Sequence, residues 1–240
     1  MTIHWEDLTM DTSFETDIYM LFDRLEDTNP IVRTDTIVLL QDIADLRATR
    51  PLTTLLEDPD VNVRAAAAGA LGSLGDDRSI PALIACSADP DKHVRRAALL
   101  ALKLLVKSAR QTDVFLDALG DVDRGIQLLA VQASSALGDR RATMPLVEIS
   151  QQATGAIWRN AVTGLGKLGD TRALAPLLDL LKTVQEDAQK RNVISALGQL
   201  GDSRALTTIT KDVYSGTPSI RVQSIIALGA LRDPSTFELL

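Results

Sequence analysis

Apolar residues recur along this chain at the spacing of helix faces. Within residues 58 to 88, Val63, Ala67, Ala70, Leu71 and Leu74 fall on one side of a 3.6-residue period. Asp58-Pro59-Asp60 in front of them reads as a turn and helix start. Proline suits an early helical position, and acids suit the positive end of the helix dipole. Gly75 has the place of a left-handed residue that stops a helix. Asp76 then caps a second helix, whose apolar residues are Ile80, Leu83 and Ile84. Neither helix buries its apolar face alone, so the pattern predicts helix pairs stacked side by side.

The same alternation returns along the chain. ALGSLGDDRSIPAL (70–83) is followed by GLGKLGDTRALAPL (164–177) and ALGQLGDSRALTTI (196–209). ASSALGDRRATMPL (133–146) and LLQDIADLRATRPL (39–52) are rougher copies. An aspartate column falls at Asp45, Asp76, Asp139, Asp170, Asp202 and Asp233, with Lys107 in the third unit, in steps of 31 or 32 residues. An arginine column lies two residues later, at Arg47, Arg78, Arg141, Arg172 and Arg204, and is broken by Ala109 and Ser235. A third column lies twelve residues before the aspartate: Arg33, Arg64, Arg95, Gln127, Trp158, Lys190 and Arg221. This register predicts an all-α solenoid of about seven two-helix repeats over residues 28–240, with a period of about 31. Residues 1–27 form an acidic arm and a capping helix over 13–25, with Ile18, Leu21, Phe22 and Leu25 on one face; residues 1–10 are expected to be disordered.

The D-P-D-x-x-V-R starts at 58–64 and 89–95, with the A-L-G-x-L-G-D-x-R phrases, resemble HEAT-like repeats of the phycobilisome-lyase type over residues 28–240. The branch takes its name from lyase subunits that attach or isomerise bilins on light-harvesting proteins, and most members of this appearance are adaptors or assembly factors. The resemblance therefore implies a non-enzymatic interaction scaffold first. A phycobilin lyase or isomerase subunit is the alternative. An accessory factor that stabilises an iron–sulfur or metal carrier is the third.

The columns themselves read as structure. Catalytic groups have no reason to recur once per repeat, whereas an inter-repeat interface does. Asp45, Asp76, Asp139, Asp170 and Asp202, with Arg64, Arg95, Arg78, Arg172 and Arg204, are thus expected to form a ladder, with an arginine of the neighbouring unit joining each carboxylate. Partner binding is expected where the phrase fails, between residues 103 and 158. Trp158 with Arg159 is the best anchor pair, and Trp158 packed between units is the competing reading. Arg96, Lys103, Lys107 and Arg110 make one basic stripe if the segment stays helical; Arg124 opens the next irregular unit. The stripe is a solvated face or a dock for an acidic partner. The expected partner is another protein, held on the face of the second helices; a homo-oligomer or a second repeat subunit is also open.

Charge sharpens this. The net charge is −7, and residues 1–60 alone, with 14 acidic and 4 basic side chains, contribute −10. That argues against general nucleic-acid binding, as does the total of eight aromatic residues. No apolar run is long enough for a bilayer, and the single cysteine excludes an internal disulfide, so a cytoplasmic protein is expected. Cys86 and His93 flank one turn, but two ligands fall short of the usual three or four for a metal. No phosphate-binding or dinucleotide-binding glycine motif is present, and no cofactor is expected. The array stops within a second helix at 234–240, and that end is expected to be covered by a partner or a second copy unless the chain is truncated.

Overall fold

The fold is that of a computed structural model, in which residues 12–106 and 112–231 are described. His4, Trp5, Lys107, Arg110 and Asp233 lie outside the described residues. The chain forms two compact units, residues 1–106 and 107–240. The described residues are helical throughout, with no strand.

The first unit holds α1 (Thr12–Arg24), α2 (Pro30–Ile43), α3 (Thr49–Thr54), α4 (Val61–Leu74), α5 (Ile80–Cys86) and α6 (Lys92–Leu105). The second holds α7 (Asp113–Asp117), α8 (Arg124–Leu137), α9 (Thr143–Gln152), α10 (Gly155–Leu168), α11 (Leu174–Thr183), α12 (Asp187–Leu200), α13 (Leu206–Ser215) and α14 (Pro218–Leu231). The even-numbered helices are the first helices of each repeat, and all have 14 residues. The second helices are shorter, and α3, α5, α9, α11 and α13 open with a 3-10 turn, such as Asp77–Ser79 before α5 and Thr171–Ala173 before α11. Within each unit the helices stack as an α-solenoid. Helix α1 packs on α2; Ile18 within it and Leu25 just after it are buried.

Asn29, Asp60, Asp91 and Asp123 accept first-turn amides of α2, α4, α6 and α8. Thr154 and Glu186 in front of α10 and α12 make no such bond. At the other end, Gly75 stands at φ 74°, as the phrase requires, but α2 ends on Ala44 at φ 56°.

The first glycine of the phrase has a different task. A Cβ on Gly166 would lie 2.8 Å from the Ala196 Cα and from its carbonyl oxygen. Gly72 meets Ala101, and Gly198 meets Ala227, in the same way. At these three contacts α4 on α6, α10 on α12 and α12 on α14 therefore pack backbone to backbone, and a side chain larger than hydrogen does not fit there. Ile37, Leu71, Leu83 and Leu102 fill the first unit's core, and Phe115, Leu146, Leu165 and Leu197 the second's.

Candidate functional site

The recurring acids are saturated by their own surroundings. Asp170 accepts the Arg172 backbone N–H at 3.0 Å and the Arg172 Nη2 at 2.5 Å. Asp45, Asp76, Asp139 and Asp202 hold Arg47, Arg78, Arg141 and Arg204 in the same turn. The guanidinium thus comes from the same turn, two residues on, because the chain there already folds the arginine back. The preceding repeat supplies a hydroxyl instead: Thr49 donates to Asp76 at 2.7 Å, Thr143 to Asp170 at 2.9 Å, and Thr112 to Asp139. The arginine bond, helped by the threonine and the backbone, lowers the carboxyl pKa of Asp76, Asp139 and Asp170, that of Asp139 to about 2. Arg78, Arg172 and Arg204 are raised by the same pairs.

The third column does cross repeats. Arg33 reaches Asp58 at 2.7 Å and Arg64 reaches Asp89 at 2.8 Å, 25 residues on in each case. Arg95 donates to the Asp89 and Pro90 carbonyls. Where Trp158 takes the column, the position 25 residues on is Thr183, so arginine and acid are absent together. Trp158 is only 6% exposed and belongs to the second unit's core. It is a packed residue with one edge at the surface, not an exposed anchor.

That edge lines a groove of about 780 Å3 on the first helices of the second unit. Arg159 of α10 and Arg191 of α12 line it and are exposed; Gln189, Asn192 and Ser195 add neutral polar groups, and Gln223 extends it to α14. Glu186 is its one acid. Arg191 was not among the sequence candidates. Reading one place past the third column would have found it: Thr34, Ala65, Arg96, Leu128, Arg159, Arg191 and Val222 form that column. The groove opens on first helices, not second helices as the sequence suggested.

Among the other candidates, Arg96 and Lys103 are exposed on α6, and Arg124 is exposed at the start of α8. Helix α6 ends at Leu105, with Val106 extended at ψ 117°, so it does not carry the stripe on to Lys107 and Arg110. A groove of about 710 Å3 in the first unit is lined by Arg47, Arg50 and Arg78 on the second-helix side, with Glu57 opposing them. Cys86 is buried, and that burial pushes its thiol up to about 11. His93 is exposed. Among the described residues no group of three or more His, Cys, Asp or Glu is placed to hold a metal. No described helix is long and apolar enough to cross a membrane.

The fold is similar to that in the complex of CpcE and CpcF of phycocyanin lyase from Nostoc sp. PCC7120, with a TM-score of 0.54 and 20% identity over 92% of this chain and 91% of that one. An engineered protein aligns at a TM-score of 0.57 and 18% identity, over 91% of this chain and 69% of its own. A designed armadillo repeat protein in complex with the peptide (KR)4 aligns at 0.54 and 15% identity, over 89% of this chain and 98% of its own. Such identities establish likeness of fold. No curated protein matches the sequence. Residues 18–103 match the family model for HEAT repeats, and residues 159–183 match that for the PBS lyase HEAT-like repeat. Residues 18–103 thus carry HEAT repeats, and the second unit holds a repeat similar to the PBS lyase HEAT-like type.

Proposed function

We propose that this chain is a non-enzymatic scaffold or adaptor that holds a partner protein on its stacked first helices. The observation that carries the reading is the contrast between ladder and groove. Every ladder aspartate described is engaged by its arginine, which leaves no carboxylate of that column poised for acid–base work. The groove's arginines are exposed and its lining is polar, which suits recognition. Stacked repeats present such a surface already ordered, so little conformational freedom is lost on binding.

The match of residues 159–183 to the PBS lyase HEAT-like repeat favours a second reading, a subunit of a bilin lyase or isomerase. A tetrapyrrole wants broad apolar contact, and this groove offers the edge of one ring, Trp158. Affinity capture from the host's lysate separates the two, with mass spectrometry and an absorption spectrum of the eluate. One enriched protein in a colourless eluate supports the scaffold. Bilin absorption, with a light-harvesting subunit enriched, replaces it by the lyase reading. An eluate with no enriched protein overturns both.

A further inference from the structure

We propose that the groove of the second unit takes an extended acidic segment of the partner, two of whose carboxylates, two residues apart, pair with Arg159 and Arg191. The inference rests on the scaffold reading and names what the scaffold holds.

The two arginines stand at the same register position of successive repeats, 32 residues apart, on α10 and α12. Both are exposed and both line the groove. Neither side chain has a hydrogen bond or ion pair with any described residue. Arg33, Arg64, Arg78, Arg172 and Arg204, in contrast, are all paired with aspartates. Repeat packing thus needs the paired arginines and makes no use of these two. A guanidinium presents a planar fork that matches a carboxylate with two parallel bonds.

Geometry sets the spacing of the ligand. Helices α10 and α12 touch backbone to backbone at Gly166 and Ala196, which puts their axes at that contact at the short end of the usual range, about 8 Å, and Arg159 and Arg191 stand on these neighbouring helices. An extended chain advances about 7 Å in two residues, and side chains at i and i+2 point to the same side. Acids at i and i+2 therefore reach both forks from one strand. Asn192, Ser195 and Gln189 lie beside them, able to hydrogen-bond a peptide backbone, and the Trp158 edge gives the segment an apolar wall. With Glu186 as the opposing acid, the lining keeps a net positive charge in a chain of net −7. That balance selects a short acidic peptide over a nucleic acid. A long polyanion would gain only two cations here.

The test uses the full chain and a short fluorescein-labelled peptide of alternating glycine and glutamate, followed by anisotropy at low ionic strength. The expected result is at least about tenfold tighter binding than to the glutamine counterpart, weakening as salt is added. The Arg159→Glu/Arg191→Glu variant loses at least about tenfold with its helicity and melting unchanged, because both side chains are exposed. Arg96→Glu, outside the groove, binds as the wild type does. Equal binding by the double variant, equal binding of the glutamine peptide, or no binding overturns the proposal. So does a preference for oligothymidylate that depends on the same arginines. Capture from lysate keeps the two levels apart. A partner retained equally by wild type and double variant removes the groove and leaves the scaffold. A partner retained by neither removes the scaffold.

Discussion

Replacing Asp170 by alanine tests what the repeated phrase does. The Asp170 side chain is 9% exposed and serves three donors: the Arg172 backbone N–H, the Arg172 guanidinium and the Thr143 hydroxyl. Loss of the cap alone costs about 1 kcal/mol. Arg172 is 57% exposed, so the ion pair adds roughly 0–1 kcal/mol. Thr143 is fully buried, and stranding its hydroxyl adds about 1–3 kcal/mol. Asp170→Ala should therefore destabilise by roughly 2–5 kcal/mol. Asp202 supplies the internal control. It has the same turn and the same arginine, at 2.6 Å, but 27 residues before it stands Ala175 where Thr143 stands for Asp170. Asp202→Ala should cost only about 1–2 kcal/mol. In a Thr143→Val background the stranded hydroxyl is gone, and Asp170→Ala should fall back toward the Asp202 value. Denaturant titration followed by far-UV circular dichroism reads all four variants, with the slope checked because stacked repeats can unfold in parts. Equal losses for Asp170→Ala and Asp202→Ala, with no relief from Thr143→Val, would refute the hydroxyl rung.

Ala44 closes α2 at φ 56° and ψ 34°, where a side chain is strained and glycine is not; Ala44→Gly should raise stability by about 0.5–1 kcal/mol, and a lower denaturation midpoint would contradict it. The ladder also sets an acid limit. Asp45, Asp76, Asp139, Asp170 and Asp202 all ionise below the ordinary value of 3.8, Asp139 at about 2. The folded state therefore binds these protons more weakly than the unfolded chain, so the stabilisation is complete above the unfolded value and is lost as pH falls through the folded ones. The melting temperature should be level from neutral pH to about 5 and drop steeply from about 4 towards 2; a level profile throughout would show that the pairs add nothing.

What the sequence revealed, and what it hid, divides by range. Helix ends were legible because they are decided within a few residues: Asp60 caps α4, Gly75 ends it, and Asp76 turns the chain into the next helix. The spacer role of Gly166 and the threonine rung were not, because both depend on a neighbour about 30 residues away. The rung does leave a trace, a threonine 27 residues before Asp76, Asp139 and Asp170, which is visible only once the ladder is known. The basic stripe rested on a local assumption. Its continuity assumed an uninterrupted helix, and α6 stops at Leu105. Trp158 was legible as an exception, but its burial was not, since a ring in an arginine column fits the surface and the core equally well in one dimension.

The same division bears on where a repeat protein keeps its specificity. The phrase commits its leucines to the core, its first glycine to the neighbouring backbone, its second to the stop, and its aspartate and arginine to the turn. A break in the phrase removes one of those supports, and stability is the first thing it alters. The positions that no support requires are one exposed row along each first helix, such as Arg159 and Lys167 on α10 and Arg191 and Gln199 on α12. Side chains there can change freely without disturbing the stack. On the reading proposed here, recognition is written in that unconstrained row and needs no failure of the phrase. It follows that Arg159→Glu and Arg191→Glu should alter binding and not folding, whereas Asp170→Ala should alter folding wherever the partner sits.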